Sequence, residues 1–190
     1  MRPLALLLAI CVLCATSAAW AHEQPRVKLV EVHSEGLFLM VDFEVEGAFT
    51  QKVDEGILSG LPTTFTFQVH MARERSGWTD ERIATIEVRR TISYDTLRQE
   101  YTVDPSSQGQ AAVTKDFQAA HDLMSTIRDI PLVIHSVLEP DQRYYVEVKA
   151  ELRSVELPPF LDSLLFFVTF WDLETEWTRV YIDQSLWSDR

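Results

Sequence analysis

The chain has 190 residues, with 17 basic against 29 acidic side chains, a net charge of −12 and 46% hydrophobic residues. A field of that sign repels nucleic acid and anionic lipid headgroups, which both need a basic footprint, so neither is expected as a partner. Both cysteines, Cys11 and Cys14, fall in the first 21 residues, so the remainder can form no disulfide and offers no thiol nucleophile.

Arg2 is followed by an apolar run from Leu4 to Leu13 and then by small residues ending Ala19-Trp20-Ala21. A positive start, a short apolar middle and an A-x-A end are the parts of a secretory signal peptide. The alternative is a retained N-terminal anchor, but the run is short for a ~20-residue membrane span. Residues 1–21 are therefore expected to be a cleaved signal peptide, and residues 22–190 a single β-rich domain. Without Arg2 that domain carries 16 basic and 29 acidic residues, net −13. It is long enough to bury a core without disulfides or a structural metal. No cofactor is expected, and no direct membrane binding once the signal is removed.

Val27 to His33 and Leu37 to Glu46 flank Ser34-Glu35-Gly36 and predict a first hairpin. In its second strand Leu37, Leu39, Val41, Phe43 and Val45 alternate with Asp42, Glu44 and Glu46 and are expected on one face. Phe49, Val53, Ile57, Leu58 and Leu61 recur at helical spacing, and Gly60 and Pro62 supply a stop. A third strand, Thr64 to Met71, buries Phe65, Phe67, Val69 and Met71 on one face.

A polar loop around Arg73 to Trp78 leads into what the pattern presents as a central hairpin, Ile86 to Tyr94 and Leu97 to Val103. Six of the chain's thirteen arginines lie between Met71 and Gln99, with only five acids. Internal ion pairing and an acidic partner both account for that. Residues 104–113 have loop composition, and a second amphipathic helix is expected from Lys115 to Asp129, ended by Pro131. Leu132 to Leu138 and Arg143 to Arg153 predict two more strands. Leu164 to Trp171 is an apolar run of eight residues, too short to span a bilayer. Trp177 to Ile182 closes the sheet, and the last seven residues are expected to fray. The fold class is mainly β (α+β): one antiparallel β-sandwich-like domain of about eight strands with two amphipathic helices.

No catalytic signature is present after residue 21: there is no G-x-S-x-G, no phosphate-cradling glycine loop, no H-E-x-x-H and no C-x-x-C, the one such spacing, Cys11 to Cys14, lying in the apolar leader. Trp78-x-Asp80-Glu81 sets two acids beside an aromatic. Neighbouring strand residues point to opposite faces, however, whereas glycosidase chemistry needs carboxylates ~5 to 9.5 Å apart across a cleft. In WDLETEW an extended chain would align Asp172, Glu174 and Glu176 on one face. Those oxygens could hold Ca²⁺, or they could be a solvated face that discourages edge pairing.

The landmarks Arg73/Arg75, Trp78-x-Asp80-Glu81-x-Ile83-Ala84, Ser93-Tyr94-x-x-Leu97-x-x-x-Tyr101-x-Val103 and Trp171-x-Leu173-x-Thr175-x-Trp177 resemble those of a family of exported proteobacterial proteins. It is classed as a domain of unknown function, number 4390, and the likeness runs from about Val27 to Ile182. The chain has Thr169-Phe170 where the resemblance calls for a Ser-Asp pair, so no role is carried over there. The resemblance implies no activity, cofactor or catalytic residue. It does imply an envelope-signalling partner, such as a membrane sensor kinase.

The expected function is that of an exported, non-enzymatic interaction module docking on an envelope protein through Arg73, Arg75, Trp78, Asp80 and Glu81. The alternative is a periplasmic small-ligand carrier or sensor with an apolar pocket lined by Phe65, Phe67, Phe166 and Phe170. N-terminal sequencing of the native protein should begin at His22; a membrane-bound chain that keeps Met1 would instead establish the anchor.

Overall fold

The computed structural model describes residues 24–105, 109–153 and 173–188. Among them are ten strands. They are β1 (Arg26–Glu35), β2 (Phe38–Glu46), β3 (Thr63–Arg73), β4 (Glu81–Asp95), β5 (Glu100–Asp104), β6 (Ala112–Thr114), β7 (Thr126–Ile134), β8 (Tyr144–Arg153), β9 (Leu173–Glu174) and β10 (Thr178–Tyr181). Three α-helices accompany them, α1 (Gln51–Leu58), α2 (Phe117–Ser125) and α3 (Ser185–Ser188), with a 3₁₀ turn at His135–Val137. The strands form two antiparallel sheets in a sandwich-like layout. One has the order β1-β2-β7; the other runs β10-β8-β3-β4-β5-β6, with β9 beside β8. The expected signal peptide and the Leu164 to Trp171 run lie outside the described residues.

Alternation decides what each sheet buries. Leu39, Val41, Phe43 and Val45 of β2 face Phe65, Phe67, Val69 and Met71 of β3, and all eight are buried. Phe43 meets Phe67 edge-on with ring centroids 5.5 Å apart. Burying a side chain of this size contributes about 1.5–3 kcal/mol, so these two rows account for much of the core. From β8, Tyr144, Val146, Val148, Ala150 and Leu152 complete it. Helix α1 begins at Thr50, whose hydroxyl accepts the Val53 amide, and it turns Val53 and Ile57 into the core. Asp116 caps α2 by accepting the Gln118 and Ala119 amides, and Ala120 and Met124 face inward.

Several elements depart from the sequence expectations. The middle of the large sheet is β3, paired with β4 on one side and β8 on the other, and not the β4–β5 hairpin. Leu97, expected in a strand, sits in the turn of that hairpin and is 94% exposed. There the Asp95 carboxylate accepts the Leu97 and Arg98 amides, and a local bond of that kind competes with strand pairing. Helix α2 stops at Ser125. Ile127, whose spacing suits the helix, belongs to β7 opposite Phe43. Pro131, the expected helix stop, lies within β7, where an edge strand tolerates the missing N–H. The strand expected over Leu132 to Leu138 ends at Ile134, and β7 and β8 belong to different sheets. The expected fraying after Gln184 gives way to α3, because Trp187 buries its ring edge-on against Tyr144, centroids 5.6 Å apart.

Arg90 stands opposite Phe65, on the inner face with Val88 and Ile92. Its Nη1 donates to the carbonyl oxygens of Leu123 and Thr126, the latter at 2.8 Å. The guanidinium thus closes the C-terminal end of α2, where carbonyls lack helical partners and the helix dipole favours a cation. Burial lowers its pKa. Arg90→Ala, and equally Arg90→Met, which keeps the apolar stem, should cost about 2 kcal/mol in denaturant melts because two carbonyls lose a charged donor. Arg89→Ala removes an exposed side chain that pairs, among the described residues, with Glu87 and should stay within about 0.5 kcal/mol of the parent.

Candidate functional site

The β3–β4 hairpin turns through Glu74 to Asp80 at one end of the large sheet. Gly77 adopts φ +79° there, a conformation a side chain would disfavour. Four of the five residues singled out from the sequence are engaged in fastening this turn. Arg73 bonds Glu81 through Nε at 3.1 Å and through Nη2, and its Nη1 reaches Glu139 Oε1 at 2.6 Å. Arg75 pairs with the same Glu81 oxygen. The two oxygens of Asp80 accept the Arg75 amide at 3.0 Å and the Tyr145 hydroxyl at 2.9 Å. Arg73, expected on a loop, is the last residue of β3 with its side chain 16% exposed, because pairing with Glu81 and Tyr144 extends the strand that far.

A second set of contacts ties the turn to the neighbouring strands. The Glu74 amide donates to Arg143 O at 2.9 Å, and its carboxylate takes Arg143 at 2.8 Å and the Tyr181 hydroxyl at 3.1 Å. Arg143 lies over the Tyr181 ring, 4.7 Å from the centroid. Arg179 lies over Tyr145 at 3.8 Å and pairs with Glu147 at 3.0 Å. Hydrogen bonds from the Arg75 amide and then Tyr145 hold the Asp80 carboxyl below its ordinary range, and Arg73 does most to lower Glu81. Burial and the bond to Asp80 push the Tyr145 phenol up. Trp78, the fifth residue, takes no part in the clamp and is 84% exposed at the tip. A large indole held in water on a fastened loop can serve as a contact surface; the surrounding carboxylates are all engaged with cations or donors.

The other sequence candidates do not converge. Phe65 and Phe67 are 2% and 1% exposed in the core and keep no surface for a ligand, while Phe166 and Phe170 lie outside the described residues. Asp172 also lies outside them. Glu174 pairs with Lys149, and Glu176 lines a cleft of about 380 Å³ with Gln24, Pro25, Arg26 and Thr178. The carboxylate row expected for WDLETEW is broken because β9 ends at Glu174. The buried Thr175 then turns in to exchange hydrogen bonds with Ala150.

Two pairs escaped the sequence reading altogether. His121 stacks on Phe49 at 3.7 Å and faces Asp54 Oδ1 at 3.2 Å, joining α2 to α1; burial lowers the imidazole pKa and raises that of the carboxyl. His70 stacks under Trp177 at 4.5 Å, 3.6 Å from Glu147. Both partnerships span more than 60 residues of chain, and no local pattern announces them.

Among the described residues no helix is long and apolar enough to cross a membrane. No curated protein and no solved structure matches the chain. The family described as "Domain of unknown function (DUF4390)" matches residues 22–181, which takes in the clamped hairpin, both sheets and the Trp177 segment. The chain belongs to that family.

Proposed function

We propose that the protein is an exported, non-enzymatic interaction module that docks on another envelope protein through the tip of its β3–β4 hairpin. A membrane-signalling protein is the partner the family resemblance favours. The observation that carries the reading is Trp78, 84% exposed on a turn fastened by Arg73, Arg75, Asp80 and Glu81. Exposed apolar surface costs free energy in water, and large aromatic anchors dominate protein interfaces. A loop already ordered loses little entropy when it binds, which raises affinity without new contacts. Arg73 belongs to the support of this surface; Trp78 and the half-exposed Arg75 belong to its contact face.

A photo-crosslinker at position 78, used in intact cells, should capture one envelope protein that mass spectrometry identifies. Binding of that purified protein should weaken at least tenfold with Trp78→Ala, while the melting curve stays unchanged. Unaltered affinity in Trp78→Ala would place the contact surface elsewhere. The clamp also has a pH signature. Both carboxyls are depressed in the folded state, so their stabilisation is complete above the ordinary carboxylate range and is lost as pH falls through the folded values. Hydrogen-exchange protection of the Arg75 amide should hold at neutral pH and fall only below about pH 4.

A further inference from the structure

On the wet face of the three-stranded sheet three metal-ligating side chains come together: His33 and Glu35 of β1 and Asp129 of β7. Their donor atoms all lie within 4.8 Å of one another, and His33 Nε2 is 3.5 Å from Asp129 Oδ1. We propose that this group binds a divalent first-row transition ion of the Zn²⁺ type.

The sequence brings the donors together by two separate devices. His33 and Glu35 are two apart on one strand, so alternation turns both to the same face. Asp129 comes from across the sheet, with β2 between. Val41 pairs with Ile130 and Phe43 with Ile127, so the single residue Asp42 opposes both Arg128 and Asp129. This is a β-bulge, the kind of irregularity that re-aims a side chain. Asp129 takes φ 57°, and its amide donates to Asp42 Oδ1 at 2.7 Å, which fixes the bulge from the second strand.

At 3.5 Å the imidazole and the Asp129 carboxylate are too far apart for a good hydrogen bond. Among the described residues no hydrogen bond takes up the donor atoms of His33, Glu35 or Asp129. Ligand atoms around a tetrahedral zinc stand about 3.3 Å apart, given Zn–N and Zn–O lengths near 2.0–2.1 Å. The His33–Asp129 pair already has that spacing, and Glu35 needs only a rotamer adjustment at its exposed position.

Charge points the same way. Glu31 and Asp42 face each other across β1 and β2 and Glu44 follows on β2; the cations alongside are Arg128, 3.9 Å from Asp42, and Lys28, which is bonded to Glu46 and also acts on Glu44. Like charges placed side by side on a sheet repel, and a divalent cation relieves this. One imidazole among carboxylates selects Zn²⁺ and its neighbours over the hard ions Ca²⁺ and Mg²⁺. Three protein ligands leave a fourth position open. The site lies on the outer surface of a fold whose core is complete without it, so it is a binding site and not a structural staple.

The test is calorimetric titration of the chelator-treated, purified full domain with Zn²⁺ in a non-coordinating buffer, alongside His33→Ala, Glu35→Gln, Asp129→Asn and, as control, His135→Ala. One saturable site is expected, weakened about tenfold or more by each of the first three changes and unaltered by the fourth. Co²⁺ should give visible d–d bands that His33→Ala abolishes. Melting curves check that each variant folds, and His33→Ala and Glu35→Gln leave the bulge itself untouched. Absence of a saturable site, Zn²⁺ binding that survives His33→Ala, or Ca²⁺ binding as tight as Zn²⁺ would each overturn the proposal.

Discussion

The architecture depends on β3 being hydrogen-bonded along both edges. Its residues pair with β4 from Thr63 to Arg73 and with β8 from Thr64 to Arg73. A strand whose N–H and C=O groups are all used in this way can be buried on both faces without stranding a polar group. β3 buries Phe65, Phe67, Val69 and Met71 on one side and Thr66, His70 and Ala72 on the other. The inner row then gives β2 its packing surface, through the edge-on contact of Phe67 with Phe43. The same double pairing carries β3 out to Arg73 and so decides where the Trp78 turn projects.

The concentration of arginine between Met71 and Gln99 is resolved mostly inside the molecule. Arg73 and Arg75 take Glu81, Arg89 takes Glu87, and Arg98 sits near Asp95 and Glu100. Arg90 takes backbone carbonyls at the end of α2. Exposed ion pairs are worth little individually, about 0–1 kcal/mol. Those around Glu81 matter because several charges share one carboxylate and hold a loop in a single geometry. A locally basic stretch on an acidic chain is therefore first a fastening device, and at the tip of its turn it presents the Trp78 indole beside the half-exposed Arg75.

How much was legible varies with the range of the interaction involved. The first hairpin, the inner faces of β2, β3 and β8 and the stop after α1 follow from alternation and from Gly60 and Pro62, signals that act within a few residues. Trp78, Asp80 and Glu81 were visible as landmarks for the same reason. What the sequence reading missed at the site was its support: Tyr145 on Asp80, Glu139 on Arg73, and Arg143 and Tyr181 on Glu74. The α2–β7 boundary failed for a related cause. Met124 and Ile127 are both at helical spacing, but Arg90 holds the carbonyls at the end of α2 and β2 captures Ile127 opposite Phe43. Tertiary pairing overrode the local period.

By itself, the sequence determined the class of the fold and the inward side of β2, β3, β4 and β8, because both depend on a period of two and on the burial of apolar side chains. It also determined that Trp78 would stand near two acids and two arginines. Only the tertiary structure decided that β3 and not the β4–β5 hairpin lies at the centre, and that Phe65 and Phe67 are filled core. It likewise decided that His33, Glu35 and Asp129, nearly a hundred residues apart at the extremes, meet on one face. Strand order, closure of the sheets and a two-against-one bulge are choices among long-range pairings of similar local pattern. They are settled by which arrangement satisfies every buried backbone group and covers every apolar face at once.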